Sequence, residues 1–153
     1  MSLDLKKQLI TQLVESSRFL RNYIDHRAKA RGTTRAQWIV LFRLREQEGL
    51  SQVDLADVLE LQPISLVRLL DRLVEHGLVE RRSDPRDRRA NRLFLTASGR
   101  QLADDLDSLR EAIATDVLQE IPTPALETSL KTLRDVKDRI KILAEPTGDV
   151  VAK

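Results

Sequence analysis

Cysteine is absent from the sequence, which excludes disulfides, thiolate-ligated zinc and redox sensing through a thiol. Histidine is scarce: His26 and His76 are the only two and fall on separate predicted elements, so neither a metal site nor a cofactor is expected. With five glycines in all, the chain has no phosphate-binding glycine loop; it also lacks a Gly-x-Ser-x-Gly elbow and a His-Glu-x-x-His pair, and it does not read as an enzyme. No apolar run approaches the roughly 20 residues that span a membrane. Residues 1–12 are amphipathic, without the apolar stretch of a signal peptide, so a cytoplasmic protein with no membrane partner is expected. Aromatic residues make up only 3%, but 41% hydrophobic and 33% charged residues describe a helix-rich folded chain rather than a disordered one.

What is present is organised around residues 51–95. Ser51 is placed to cap a helix entering at Gln52, with Asp54 three residues on as an acidic variant of the capping box. That helix carries Leu55, Ala56, Val58 and Leu59. Pro63 suits the first position of the next helix, where its missing N–H would be unpaired anyway. This second helix runs to about His76; Leu66, Leu69, Leu70 and Leu73 recur at the helical period, leaving Ser65, Arg68 and Arg72 on the opposite side. Two helices across a short turn form a helix-turn-helix. Glu60 stands where many such turns carry glycine, a strain of about 1 kcal/mol or more if that residue needs positive φ. Asp71 and Glu75 interleave with Arg68 and Arg72, and an ion-pair network along the helix is expected.

Beyond Gly77, placed as a C-cap glycine, Leu78-Val79-Glu80-Arg81-Arg82 and Arg92-Leu93-Phe94-Leu95 are strand-like. They flank the run Asp84-Pro85-Arg86-Asp87-Arg88-Arg89, so a hairpin with a charged tip is expected. Residues 81–92 hold six arginines against two aspartates, an excess suited to phosphates or a narrow minor groove; a solvated loop is the plain alternative. The formal net charge of +2 carries no weight alone. Its distribution does, because residues 101–153 hold eleven acidic and seven basic side chains, making the far end acidic.

The order helix-turn-helix, Asp-x-Arg-Asp-x-Arg, then Leu95-Thr96-Ala97-Ser98-Gly99 opening a helix resembles the MarR family of bacterial transcription regulators. Ser65-Leu66-Val67-Arg68 with Leu70-Asp71, Arg88-Arg89-Ala90 with Arg92, and Ile24-Asp25-His26-Arg27 are similar to its SlyA-like branch. The resemblance covers nearly the whole chain, and after about Gly99 it rests on helical pattern and length. Some relatives sense peroxide through a cysteine, a route closed here.

Around this centre lie long helices. Leu5, Leu9, Leu13, Leu20 and Ile24 follow helical spacing from residue 2 or 4 to about residue 27. Thr34 and Gln37 form a capping box for a helix carrying Trp38, Val40, Leu41 and Leu44. Leu102, Leu106, Leu109, Ile113 and Val117 nearly follow a coiled-coil seam. After Ile121-Pro122, Thr123 is a candidate cap and Pro124 a first helical residue for a helix carrying Leu126, Leu130, Leu133, Val136, Ile140 and Leu143. This apolar surface exceeds what one small winged domain covers, and a homodimer is expected, with an intramolecular three-helix bundle as the alternative. The expected layout is an N-terminal dimerisation helix over 1–32, a DNA-binding winged helix-turn-helix over 33–100, C-terminal dimerisation helices over 101–145 and a flexible tail over 146–153.

The fold expected is therefore mainly α, with a small antiparallel β wing of two or three strands. The resemblance implies a homodimeric regulator of double-stranded DNA, taken here as a repressor on a palindromic operator. Gln62, Pro63, Ile64 and Ser65 would meet base edges, with Arg68 one turn further in and long enough for a bidentate bond to guanine. Arg86, Arg88 and Arg89 of the wing would meet the minor groove or phosphates; in the family the first arginine of the motif is the usual groove residue, whereas in the SlyA-like branch the later pair serves. Asp87 is expected to hold Arg89 or another nearby guanidinium. The resemblance also implies a small aromatic carboxylate as effector, held by Arg18, Arg21 and Trp38, positions that match arginines and a tryptophan in SlyA-like relatives; solvated arginines and a core tryptophan are the plain readings. A helical protein–protein adaptor is the alternative function.

Overall fold

The structure, a computed structural model, describes residues 1–59 and 61–145. Its elements in chain order are α1 (Ser2–Lys29), α2 (Arg35–Glu46), β1 (Leu50–Ser51), α3 (Gln52–Leu59), α4 (Pro63–Glu75), β2 (Val79–Asp84), β3 (Asp87–Leu95), α5 (Ala97–Leu118) and α6 (Thr123–Ala144). The fold is a mainly helical winged helix with a three-stranded antiparallel sheet in the order β1-β3-β2. Internal contacts divide the chain into two units, Met1–Glu111 and Ala112–Lys153. Among the described residues no helix is long and apolar enough to cross a membrane.

Local chemistry sets most helix ends. Thr34 accepts from the Gln37 N–H at 3.1 Å while the Gln37 side chain accepts from the Thr34 N–H at 3.3 Å, so the capping box forms in both directions. Ser51 Oγ accepts from the Asp54 N–H at 3.1 Å and starts α3 at Gln52. Pro63 opens α4. At its other end the Gly77 N–H bonds to the Val74 carbonyl and the Leu78 N–H to the Leu73 carbonyl, a Schellman pair that needs the positive φ of Gly77 at 71°. The predicted start of the last helix shifts by one residue, since α6 begins at Thr123 with Pro122 as its cap. Glu60, the expected strained turn residue, and the expected tail 146–153 lie outside the described residues.

The core of the winged region is made by Val40, Leu41 and Leu44 of α2, Leu55 of α3, Leu66, Leu70 and Leu73 of α4, Val79 of β2 and Leu93 of β3, all essentially inaccessible. Leu106 of α5 belongs to the same class. The hairpin differs from expectation in extent. Its strands run through most of the basic run, with Asp84 opposite Asp87 and only Pro85-Arg86 left as the turn; the register shift at Ser83/Asp84 accommodates the irregularity. β1 had no sequence signal of its own, because two residues cannot display an alternation. Leu50 and Ser51 are strand because β3 offers them Leu93 and Arg92 as partners.

Candidate nucleic-acid interface

α4 is sharply two-sided. Leu66, Leu70 and Leu73 face the core, and Gln62, Pro63, Ile64, Ser65 and Arg68 are all exposed, with Ile64 at 64%. The five residues predicted for base contact therefore cluster around the start of the helix on its solvent side. The expected pairing of Asp71 with Arg68 or Arg72 is replaced by a tertiary one: Asp71 Oδ1 accepts from Arg81 Nη2 at 2.6 Å, and Arg81 Nε donates to Gln52 Oε1 at 3.0 Å. The reason is reach, since β2 brings Arg81 onto the flank of α4 while Arg68 and Arg72 extend away from that flank. This cluster ties α3, α4 and the wing strand together.

In the wing, Asp84 is the structural carboxylate. It accepts from the Arg86 N–H at 2.9 Å and from Arg92 Nε at 3.1 Å, and Arg92 Nη1 reaches back to the Gly49 carbonyl at 3.3 Å. The backbone hydrogen bond from Arg86 and then the hydrogen bond from Arg92 hold its carboxyl below the ordinary value of 3.8. Arg82 pairs with Glu80 and lies over the Phe94 ring at 4.0 Å. Three of the six arginines, Arg81, Arg82 and Arg92, are thus engaged within the fold, and Arg86 is exposed at the turn. The side chains of Arg88 and Arg89 lie outside the described residues, as does the expected Asp87–Arg89 pair that depends on one of them.

A second feature is a cavity of about 290 Å³ bounded by α1, α2 and Arg110 of α5. Ser17, Leu20, Arg21 and Ile24 supply the α1 wall, a single helical face at spacings of three and four. Arg18 is not among the residues that line it: at about 100° per residue Arg18 points well off the centre of that face. It lies instead over the Phe19 ring at 5.1 Å. Arg21 and Trp38 do line the cavity, joined by Arg35 and Arg110, which sequence reasoning missed. Trp38 is 5% exposed, and its buried Nε1 donates to no acceptor among the described residues. Arg35 Nε is also buried without a hydrogen bond, 3.5 Å from Asp25 Oδ1. The lining residues thus include three arginines and the rings of Trp38 and Phe42, whose centroids are 5.4 Å apart.

Residues 33–90 match the model of the MarR family. Over these residues the chain is similar to the MarR family. Solved structures agree over most of the chain. A MarR-family regulator from Rhodococcus sp. RHA1 is 28% identical, with 86% of this chain and 94% of that one covered at a TM-score of 0.76. A cysteine-to-serine mutant of MarR from E. coli, complexed with operator DNA, is 25% identical, covering 83% and 92% at 0.75. A further MarR family transcription regulator, at 20% identity, shares the fold over 95% and 96% at 0.87. MarR proteins are transcription regulators rather than enzymes. Within the matched residues, the capping-box stretch already contained Arg35, but nothing in its spacing indicated that it would line a cavity with Arg110.

Proposed function

We propose that the protein is a transcription regulator of the SlyA-like kind that binds double-stranded DNA as a homodimer and represses from a palindromic operator. The observation that supports this best is the exposed start of α4, with Pro63, Ile64, Ser65 and Arg68 standing clear of a fully apolar underside. Pro63 and Ile64 suit thymine methyls, Ser65 offers a hydroxyl, and Arg68 suits guanine. Arg86, Arg88 and Arg89 serve the flanking minor groove or its phosphates. Residues 33–100 carry the DNA contacts, and residues 1–32 and 101–145 carry dimerisation. Support for the dimer comes from α1 and α6, whose Leu5, Leu9, Leu133, Ile140 and Leu143 are exposed. Two protomers would place half-sites about one helical turn, roughly 10 bp, apart.

Selection of bound duplexes from a random library, followed by a salt series, tests this. The expected result is a palindrome with that spacing and an affinity falling linearly in log salt. A protein that binds no duplex at any salt is an adaptor instead.

The effector is a small aromatic carboxylate in the 290 Å³ cavity, its ring against Trp38 and Phe42 and its carboxylate on Arg21, Arg35 or Arg110. To release DNA it must favour the DNA-incompetent arrangement by about 1.4 kcal/mol for each tenfold loss of affinity. Calorimetry with salicylate separates Arg21 from Arg18: Arg21→Ala should weaken binding and Arg18→Ala should not. Identical binding by both variants and the wild type removes both arginines from the site.

A further inference from the structure

The solvent side of α4 has two flanks of different charge. Toward β2, Asp71 is occupied by Arg81. On the other flank a cavity of about 440 Å³ opens between α4 and the start of α2, lined by Thr34 and Ala36 from one side and by Ser65, Arg68, Leu69 and Arg72 from the other. Among the described residues its charged lining is two arginines and no carboxylate, and neither arginine forms an ion pair. The two arginines are not equivalent. At about 100° per residue, Arg72 lies roughly 120° around the helix from the buried Leu66 and Arg68 roughly 160°. Arg68 therefore stands near the crown of α4, beside Ile64, and Arg72 hangs from the flank below it, in the row that holds Ser65 and Leu69.

A helix lying in a major groove has base edges at its crown and a sugar-phosphate backbone along each flank. We propose that this cavity is a phosphate seat, in which Arg72 grips one backbone phosphate of the strand bordering the groove that α4 enters. The inference rests on the DNA-binding reading above and adds to it a contact residue and the chemical group it takes. The cavity leaves room for a phosphate together with several waters of about 30 Å³ each. The Asp71–Arg81 pair on the opposite flank offers no such seat, so the protein holds the two backbones unequally. One side is gripped from α4 itself and the other from the wing.

The test uses the full chain, fluorescent duplexes of random and selected sequence, and a salt series. Arg72→Ala should weaken both duplexes to the same extent, about fivefold near 0.15 M salt, which is what one released counterion yields between that concentration and about 1 M. The slope of log affinity against log salt should become shallower by about one, and Arg72→Lys should restore it. A scan of uncharged methylphosphonate linkages through the selected duplex should show one position per half-site that weakens the wild type and leaves Arg72→Ala unaffected. An unchanged slope, or a loss confined to the selected sequence, overturns the seat while leaving DNA binding in place. A wild-type protein that binds neither duplex overturns the DNA reading itself and the seat with it.

Discussion

The winged region and the two long end helices draw on the same apolar residue types and spend them differently. In the winged region the helices and β3 each bury apolar residues: Leu41, Leu55, Leu66, Leu70 and Leu93 are inaccessible. In α1 only Ala28 is buried, and in α6 no residue is. An apolar helical face left in water forgoes about 25 cal/mol for each Å² that a partner surface could have removed. The contrast teaches that the same apolar residue types are buried within the chain in one part and left exposed in the other.

The largest effect should come from an end helix. Leu133, at 46% exposure, is free to accept a charge within the isolated chain, so Leu133→Glu should leave the protomer folded while abolishing dimerisation and specific DNA binding. Analytical ultracentrifugation with a binding assay checks this, and a monomeric variant binding its palindrome at full affinity breaks the comparison. Leu70→Ala probes the other side. It should cost about 2–5 kcal/mol of unfolding free energy, read by denaturant titration, because the fully packed core collapses only partly around the lost atoms.

Two substitutions of intermediate size sharpen the picture within the winged region. A Cβ on Gly99 would overlap the Leu78 carbonyl oxygen, a backbone atom that cannot swing aside. Gly99→Ala should therefore cost about 1–3 kcal/mol in thermal or chemical unfolding. Arg68→Ala should leave stability within about 0.5 kcal/mol. It should also relax base preference at one position per half-site by about 1–3 kcal/mol, read by competition among duplexes. Equal losses on specific and random DNA would move Arg68 from the bases to the backbone.

The smallest effect is a pH dependence in the wing. The Asp84 carboxyl is held below its ordinary value by the Arg86 N–H and the Arg92 side chain, so its contribution to the turn is present above the value of the unfolded chain and is lost as pH falls through the depressed folded value. The Arg86 amide signal in NMR should titrate below the ordinary 3.8. Asp84→Asn should remove that titration and leave the core signals of the winged region unmoved.

Much of this was legible because it is local. The capping box of Thr34 and Gln37, the cap of Ser51, Pro63 at a helix start and Gly77 at a helix end each involve groups within a few residues, and the apolar periods of α2, α4 and α5 name their own buried faces. Position along the chain determines those outcomes, since three or four residues of helix always bring the same side chains together. The tertiary structure alone decided the rest. β1 exists because β3 passes beside Leu50 and Ser51; Gly99 is required because Leu78 crosses above it; Asp71 turns to Arg81 rather than to its helical neighbours; and Arg35 and Arg110 share a cavity across 74 intervening residues while Arg18, three positions from Arg21, is turned away from it. In each case the deciding quantity is the distance between segments remote in sequence, and that distance is set by how the cores of several elements pack at once.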